Sequence, residues 1–412
     1  MDEERAQRIG VRVRAARRQR GMSLRSLAQL AGVSIGFLSM VENGQRLLDR
    51  ASQITALAEV LRMAPAELVG APLPPAGPDS STVHEMIPVL RHTLMGVPLE
   101  SPPGGPPADQ PLSALGGRVT EANRLYHAAA YDTLAAALPT LLADLHTAVA
   151  VSSGPARFPL LRLLAAAYHP ACTLLLKNLG YTDLAFIAVT RATEAVRELD
   201  DPVHCALSRF FRSHVLMTAG SPLQAVNEAT TAMQLLESQP STSATHALRG
   251  ELHLISASAI AQDRHRAGHS RTAEAEEHLT EAARLAAHTG ETSAWHLNFG
   301  PTNVGIHQVT LHTDLGMHGE AVMLSSAVHP RALTVPGRQA AFHADLGRSL
   351  AQLRGRERDA VHALLAADHI APQRIRANPL VRDTVGFLTD RQLPGHAARD
   401  LRGLAHRMGM PI

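Results

Sequence analysis

The sequence is poor in cysteine, lysine and aromatic residues. Its 412 residues contain two cysteines, Cys172 and Cys205, one lysine, Lys177, and only 3% aromatic residues. Both cysteines fall in apolar helical stretches, which favours two buried thiols in a reducing compartment over a disulfide or a redox switch. One lysine beside so many arginines, in a chain rich in alanine, indicates a GC-rich bacterial genome and no particular chemistry.

Targeting and membrane signals are also lacking. The N-terminal sequence MDEERAQRIG has no apolar signal region, and no stretch approaches 18 uninterrupted apolar residues. The absence of these signals predicts a soluble, cytoplasmic protein that has no membrane partner.

Catalytic and metal-binding motifs are scarce. The sequence contains neither HExxH nor the phosphate-binding GxxxxGK[ST], and its one match to GxSxG, residues 32 to 36, follows no predicted strand. Of its 23 histidines, His265 and His269 have the i, i+4 spacing of two metal ligands, but Gly268 is expected to end the helix between them. No acidic residue or cysteine stands at a suitable spacing beside them. We therefore expect no enzymatic activity, no cofactor and no metal.

The stretch from Ser23 to Gly44 has the pattern of two short helices joined by a sharp turn. Ser23 and Ser34 can each cap a helix N-terminus, Gly32 separates the two segments, and Asn43-Gly44 is a natural stop. Apolar residues fall at helical spacing in both segments: Leu24, Leu27, Ala28 and Ala31, then Phe37, Leu38 and Val41. This pattern predicts a helix-turn-helix, whose second helix enters the DNA major groove, although a hairpin used only for packing has the same pattern.

Positive charge is concentrated around this stretch. Residues 1 to 70 hold eleven arginines against seven acidic residues, whereas the rest of the chain carries a net charge of −2. Between Arg5 and Arg25 there are eight arginines and no acidic residue. A basic run beside a helix-turn-helix predicts contacts to DNA phosphates, although it can also be only a solvated helix face.

Residues 23 to 44 resemble the Xre/Cro/C1 family of helix-turn-helix proteins. The residues that match the family pattern are Ala28, Gly32, Val33, Ser34, Leu38, Val41 and Glu42-Asn43-Gly44. The resemblance implies an ion pair between Arg17 of the first helix and Glu42. Together with the basic run, it implies this set of DNA-binding residues: Arg17, Arg18, Arg20, Arg25, Ser34, Ile35, Gly36, Phe37, Ser39, Met40, Asn43, Gln45 and Arg46.

The second helix departs from the family pattern on its outward face. Met40 stands where many relatives have arginine or lysine, and Ile35 and Gly36 offer no side-chain hydrogen bond. A bidentate arginine contact to guanine is therefore not available from this helix. We expect sequence readout through Ser39, apolar contacts with thymine methyl groups and DNA shape.

The pattern along the chain predicts three parts and an all-α fold. Residues 1 to 70 form a five-helix domain, with a first helix over 3 to 20, a fourth over 51 to 61 and a fifth that begins at Pro65. Residues 71 to 118 form a linker in which two Pro/Gly-rich tracts surround one amphipathic segment, 83 to 95. That segment could pack on either neighbour or contact a partner. Residues 119 to 412 are helical in pattern throughout.

Small residues recur at fixed offsets in the C-terminal part. Four glycines are each followed by small residues at +5 and +12: Gly180, Ala185, Ala192; Gly220, Ala225, Ala232; Gly316, Ala321, Val328; Gly355, Ala360, Ala367. Gly268 with Ala273 and Thr280, and Tyr131 with Ala136 and Ala143, fit less well. Each glycine would turn one helix into the next, and the small residues would let the two helices approach closely.

The pattern resembles tetratricopeptide repeats, which implies an α-solenoid with a concave face. The whole arrangement resembles actinobacterial Xre regulators with tetratricopeptide-like C-terminal regions and, distantly, the peptide-sensing regulators of Gram-positive bacteria. The resemblance implies a homodimer whose concave surface binds a peptide or a small molecule.

The repeat register places a polar set on the concave side. Asn303 follows the break at Phe299-Gly300-Pro301, and its amide can both donate to and accept from a peptide backbone. The candidate ligand-binding residues are Gln262, His265, Trp295, Asn298, Asn303, Ile306, Thr310, Asp345 and Gln352. A helix cap at the break and a core tryptophan explain the same residues equally well.

Two functional hypotheses follow. In the first, the protein is a transcription regulator that binds double-stranded operator DNA as a dimer, with half-sites ~34 Å apart, under the control of a peptide or small-molecule signal. In the second, the repeat domain is a protein-interaction scaffold with no small ligand.

Overall fold

The computed structural model describes residues 2–46, 48, 51–61, 63, 68, 82–96, 110–267, 270–333, 335–391 and 393–410. Over these ranges the regular secondary structure is helical, apart from one antiparallel bridge between Thr292 and Phe299. The predicted all-α class is confirmed for this part of the chain. The predicted fifth helix at Pro65 and the two Pro/Gly-rich tracts of the predicted linker lie almost wholly outside the described residues.

The described residues of the N-terminal domain, hereafter the head, form four helices: α1 (Asp2–Gln19), α2 (Leu24–Leu30), α3 (Ile35–Glu42) and α4 (Ala51–Val60). The first and fourth end one residue before their predicted ends. The core of the head is made of apolar side chains from all four helices, among them Ile9, Val13, Leu27, Leu38 and Leu57. The apolar spacing of the sequence is thus the spacing of the buried faces.

The remaining helices belong to the linker region and to the C-terminal part, hereafter the body (residues 110–410). They are α5 (Thr82–Gly96), α6 (Leu112–His127), α7 (Tyr131–Val151), α8 (Arg157–Ala166), α9 (Leu175–Asn178), α10 (Thr182–Arg197), α11 (Pro202–Thr218), α12 (Pro222–Glu237), α13 (Ser243–Ala267), α14 (Ser270–Thr289), α15 (Pro301–Asp314), α16 (His318–Ser325), α17 (Pro336–Gln352), α18 (Glu357–Ile370), α19 (Pro372–Ala377), α20 (Pro379–Asp390) and α21 (His396–Arg407). A π-helical segment, Ala167–Leu174, joins α8 to α9. Neighbours along the chain pack on each other, as α11 does on α12, α13 on α14 and α17 on α18.

Two segments of the body are long and apolar enough to cross a membrane by length and composition alone. They are Tyr131–Val151 and Gly154–Asn178, and 56% and 72% of their most apolar windows are buried inside the protein. Leu138, Leu142 and Leu161 from these segments lie in the largest core cluster and are fully buried. Packing against neighbouring helices therefore accounts for their apolar composition.

The four predicted turn glycines all lie in the left-handed region of backbone conformation. Gly180, Gly220, Gly316 and Gly355 have φ values between 76° and 87°, and each stands two residues before the next helix begins. A residue with a Cβ is strained at such φ values, so glycine is favoured there. The small residues at +5 and +12 are fully buried in the first, second and fourth sets, whereas Val328 is only half-buried.

The two weaker members of the pattern have a different register. Ala136, Ala273 and Thr280 are exposed, so the predicted close contacts at these positions are wrong. The helix α7 begins at Tyr131, and the turn position two residues earlier is Ala129, with φ 56° and the same pair of turn hydrogen bonds as Gly180. Counted from Ala129, the buried positions are Leu134 and Leu141. In α14 the buried small residues are Ala275 and Ala282, because the helix presents that face to its neighbours.

The helix α5, whose partner the sequence leaves open, packs on the body. Its apolar face, made of Val83, Ile87, Leu90 and Leu94, is buried against α7 and α10. The amide of Val83 donates to Asp132 Oδ1 at 2.6 Å, and His84 Nδ1 lies 2.9 Å from the Tyr181 hydroxyl. The region between the head and the body is therefore anchored at its middle.

Among the described residues, two helices of the head make its main contacts with the body. The helix α4 packs against α13, and α1 contacts α20. Leu380 of α20 packs against the core cluster of the head. The helix α3, by contrast, packs on α1 and α2.

Candidate nucleic-acid interface and ligand cavity

Serine caps and a glycine turn set the geometry of α2 and α3. Ser23 Oγ accepts from the Ser26 amide at 3.0 Å, and Ser34 Oγ accepts from the Phe37 amide at 3.1 Å. Gly32 has φ 64°, which the turn requires. The chain bends by 116° between the two helices, within the range of DNA-binding helix-turn-helix units.

A glycine on α1 allows α3 to approach closely. A Cβ at Gly10 would lie 2.3 Å from the Val41 carbonyl oxygen, so no side chain fits there. The sequence pattern of the helix-turn-helix does not mark this position, because the contact joins residues far apart in the chain.

Arg17 binds Glu42 with two hydrogen bonds, as the family resemblance implies. The Nε–Oε1 and Nη2–Oε2 distances are 2.6 and 2.7 Å, and Arg17 Nη1 also donates to the Met22 carbonyl at 2.9 Å. The hydrogen bonds to Glu42 raise the pKa of Arg17. Arg14 adds a hydrogen bond to Asn43 and lies 3.5 Å from Glu42. Arg17 therefore holds α1 to the end of α3, and its guanidinium is occupied in doing so.

The outward face of α3 is open. Ile35 is 46% exposed and Met40 36% exposed, nothing stands within 4 Å of a Cβ placed at Gly36, and Ser39 is half-buried. Phe37 differs from them, because its ring is buried in the core of the head and lies under the Arg46 guanidinium, 5.1 Å from ring centre to Cζ. Its effect on a DNA contact would thus act through Arg46.

Cationic side chains border this open face. Arg18, Arg20, Arg25 and Arg46 are exposed, as are the predicted contact residues Ser34, Asn43 and Gln45. Arg20 also donates to the Ala16 carbonyl at 3.3 Å. Exposed guanidinium groups beside an unoccupied helix face are the arrangement that contacts phosphates on both sides of a groove.

The predicted ligand-binding residues do not form one cluster. Asn298 and Asn303 line a cavity in the body. Ile306 is fully buried in an apolar cluster, and Thr310 donates to Asp345 Oδ2 at 2.8 Å. Trp295 lies against the largest core cluster and donates to the Ala244 carbonyl at 3.1 Å.

Two further predicted positions stand apart from the cavity lining, and a third is not described. Gln262 and Gln352 are half-buried and lie outside the cavity, and the side chain of His265 lies outside the described residues.

Asn303 connects two charged groups of this cavity. Its Nδ2 donates to Glu251 Oε1 at 2.8 Å, and its Oδ1 accepts from Arg338 Nε at 2.8 Å. Asn298 Nδ2 lies 3.3 Å from His127 Nδ1. Sequence reasoning misses Glu251 and Arg338, because nothing in their local pattern separates them from other helical charges.

A metal site is not apparent in the described ranges, where no group of three His, Cys, Asp or Glu side chains could hold a metal ion. His269 lies outside these ranges, so the pair with His265 is not described. The Cys172 thiol is buried, which raises its pKa to about 12, and Cys205 is half-buried. The two cysteines are not joined to each other.

Comparison with known proteins agrees with the geometry of the head. A family model described as "Helix-turn-helix domain" matches residues 8–69. No curated protein matches the chain significantly. The chain thus carries a helix-turn-helix domain, and such a domain indicates a DNA-binding regulator.

Proposed function

We propose that the protein is a cytoplasmic transcription regulator whose head binds operator DNA as a homodimer. The observation that carries this proposal is the open face of α3, with Ile35, Met40 and Ser39 facing outward between exposed arginines. Neither α4 nor α1, through which the head contacts the body, belongs to that face. The recognition helix can therefore meet a major groove without release from the body.

An equilibrium binding experiment tests the DNA contacts. The full chain is titrated with DNA from upstream of its own gene at several salt concentrations, with Arg18, Arg25 and Arg46 changed singly and together to Gln. Each phosphate contact that is lost should reduce the slope of log affinity against log salt by about one, and the triple variant should bind at least ~10-fold more weakly.

The control for this experiment is Arg162→Gln, which removes an exposed charge from the body. Affinity and salt slope that stay at the wild-type level in the triple variant would refute the assigned footprint. Loss of binding in the control as well would point to a general charge effect.

The body, in this proposal, is an α-solenoid of tetratricopeptide-like pairs that receives a peptide or small-molecule signal. The equivalent turns at Ala129, Gly180, Gly220 and Gly316 support the repeat assignment. The packing of α4 on α13 and of α1 on α20 offers a route by which a change in the body could alter the head. A signal would act by binding more tightly to one relative arrangement of the head and the body than to another.

A protein scaffold is the second candidate for the body. Met323 and Leu223 are exposed on it, and scattered exposed apolar residues of this kind are also common on proteins without partners. Purification of the tagged full chain from its host separates the two. A stoichiometric protein partner favours the scaffold, whereas a low-mass, heat-stable component that raises the melting temperature favours the sensor.

A further inference from the structure

Three cationic side chains converge on one cavity of the body. Lys177 of α9, Arg338 of α17 and Arg374 of α19 line a volume of about 100 Å³. None of the three has a carboxylate within the 4.0 Å of an ion pair among the residues that the structure describes. Within that same part of the chain, Glu251 is the only carboxylate in the lining.

The hydrogen bonds of these cations are incomplete. Glu251 reaches Arg338 only through the amide of Asn303, with 2.8 Å at each step. Arg338 Nη2 is buried and has no partner among the described residues. Lys177 Nζ has Asn178 Oδ1 at 3.5 Å. A buried donor without an acceptor is costly, so this arrangement favours the arrival of an acceptor.

The charges around the cavity are unbalanced toward the positive. Burial, together with Arg374 and Arg338, lowers the pKa of Lys177 to about 7, and burial also lowers the pKa of Arg338. Burial raises the pKa of Glu251 to about 7, so near neutral pH Glu251 and Lys177 are each partly neutral and the two guanidinium groups carry the excess positive charge. An anion placed among the three cations would restore the balance and the normal charge states.

The histidines of the lining add no positive charge at neutral pH. Burial lowers the pKa of His127 to about 4, lowers that of His296, and lowers those of His214 and His307 well below the usual value. At neutral pH they are therefore neutral hydrogen-bonding groups.

The size and walls of the cavity limit the ligand. A volume of about 100 Å³ accommodates a phosphate group or a short carboxylic acid. Phe210, Leu174 and Val335 provide an apolar wall beside the cations. Guanidinium groups present paired N–H donors that match carboxylate and phosphate oxygens, and the lysine adds a point charge.

We propose that this cavity binds a small anion, through a carboxylate or phosphate group held by Lys177, Arg338 and Arg374. The inference rests on the proposed role of the body as a sensor, and it names the class of signal. Asn303 acts in it as a positioning residue, which holds Arg338 at the cavity wall.

Thermal unfolding and calorimetric titration of the full chain test the proposal. The probes are inorganic phosphate and succinate, with succinamide as the uncharged counterpart of succinate. Either anion should raise the melting temperature in a saturable way, by roughly 5 °C at a hundredfold excess over its Kd, whereas succinamide should have no effect. The anion with the larger shift identifies the preferred group.

Two cavity variants, Lys177→Met and Arg338→Gln, distinguish binding from a purely structural cluster. Each removes one of the mutually repelling cations, so the ligand-free variant should melt at or above the wild-type temperature while its affinity for the anion falls at least ~10-fold. Arg162→Gln, an exposed charge outside the cavity, should bind as the wild type does.

The proposal is overturned if neither anion gives a saturable shift, or if both variants keep the wild-type affinity. These outcomes do not depend on DNA, so they are separable from a failure of DNA binding by the head. If the protein binds DNA but binds neither anion, the proposal of a DNA-binding regulator stands and the proposal of an anionic signal fails.

Discussion

Glu42 is a buried carboxylate on which the contact between α1 and α3 depends. Only 3% of its side chain is exposed, and Arg17 satisfies both of its oxygens. Removing one partner of a buried pair leaves an uncompensated charge. Arg17→Ala should therefore destabilise the head by about 3 kcal/mol, as measured by urea unfolding of the full chain.

The matched change for this prediction is Arg18→Ala, which removes an exposed neighbour on the same helix. It should alter stability by less than about 0.5 kcal/mol. An equal loss of unfolding free energy in the two variants would show that the ion pair with Glu42 does not stabilise the head.

His169 makes the stability of the body depend on pH. Burial lowers its pKa to about 3, and its ring stacks on Phe211 with centroids 4.8 Å apart. It is therefore neutral in the folded protein and takes up a proton on unfolding below its ordinary pKa of about 6.5. The stabilisation is complete above pH 6.5 and is lost as the pH falls toward 3.

The variant His169→Phe should reduce this pH dependence. It keeps an aromatic ring on Phe211 and removes the proton uptake, so the loss of unfolding free energy between pH 7 and pH 5 should shrink by about 2 kcal/mol. Chemical unfolding at the two pH values measures it. His127 and His146, whose pKa values are lowered to about 4 by burial, should keep some dependence in the variant. An unchanged slope would contradict the assignment to His169.

At the scale of helices, two turn positions with positive φ carry different residues, Gly355 and Ala129. Exchanging alanine and glycine at each position tests the strain of the turn. Gly355 has φ 81° and open space where the methyl group of an alanine would stand, so Gly355→Ala should cost about 1 to 2 kcal/mol from backbone strain alone. Ala129 has φ 56° at the turn before α7, and Ala129→Gly should relieve strain. Its gain should be smaller, because the methyl group packs against the core. Melting of both variants checks the two signs.

The helix α13 needs a glycine where it meets the segment before α15. A Cβ at Gly250 would lie 1.9 Å from Phe299 Cζ, and Phe299 is fully buried. Gly250→Ala should destabilise the body by about 1 to 3 kcal/mol. Gly117→Ala, in an exposed helical position with nothing within 4 Å, should instead stabilise it by up to about 1 kcal/mol.

The features that the sequence predicts are those that depend on near neighbours in the chain. The caps at Ser23 and Ser34 and the turns at Gly180 and Gly220 are local, so spacing alone locates them. The concave register fails at Ile306 because α15 buries that face under α16 and α17. A repeat count cannot show which faces a following helix covers.

The cavity is beyond sequence reasoning for a related reason. Lys177, Arg338 and Arg374 come from three helices far apart in the chain, and only the fold brings them together. In the sequence, Lys177 stands out only because it is the single lysine. The codon usage of a GC-rich genome explains that scarcity without any function. The sequence predicts Asn303 as a ligand clamp, but its placement between Glu251 and Arg338 cannot be read from its neighbours.

For the whole molecule, one residue of α20 offers a test of one contact between the head and the body. Leu380 packs against the core cluster of the head, so Leu380→Ser should weaken the docking of α1 on α20. Hydrogen exchange of the α1 amides should then speed up by about an order of magnitude, while exchange in α10 stays unchanged. Leu223→Ser, at an exposed position, is the control. Equal protection of α1 in both variants would mean that the contact with α20 does not stabilise α1.

Because α5 packs on the body, the length of chain between the head and α5 limits how far the head can move from the body. Leu68 is the last described residue of the head and Thr82 opens α5, so thirteen residues lie between them and fourteen Cα–Cα steps join them. A fully extended chain of that length spans at most about 50 Å. If the head leaves its place beside α13, the connecting chain keeps it within this distance of α5. In a dimer, each head would stay within this distance of its own α5, so the separation of the two bodies would help to set the operator spacing that one assembly can bridge.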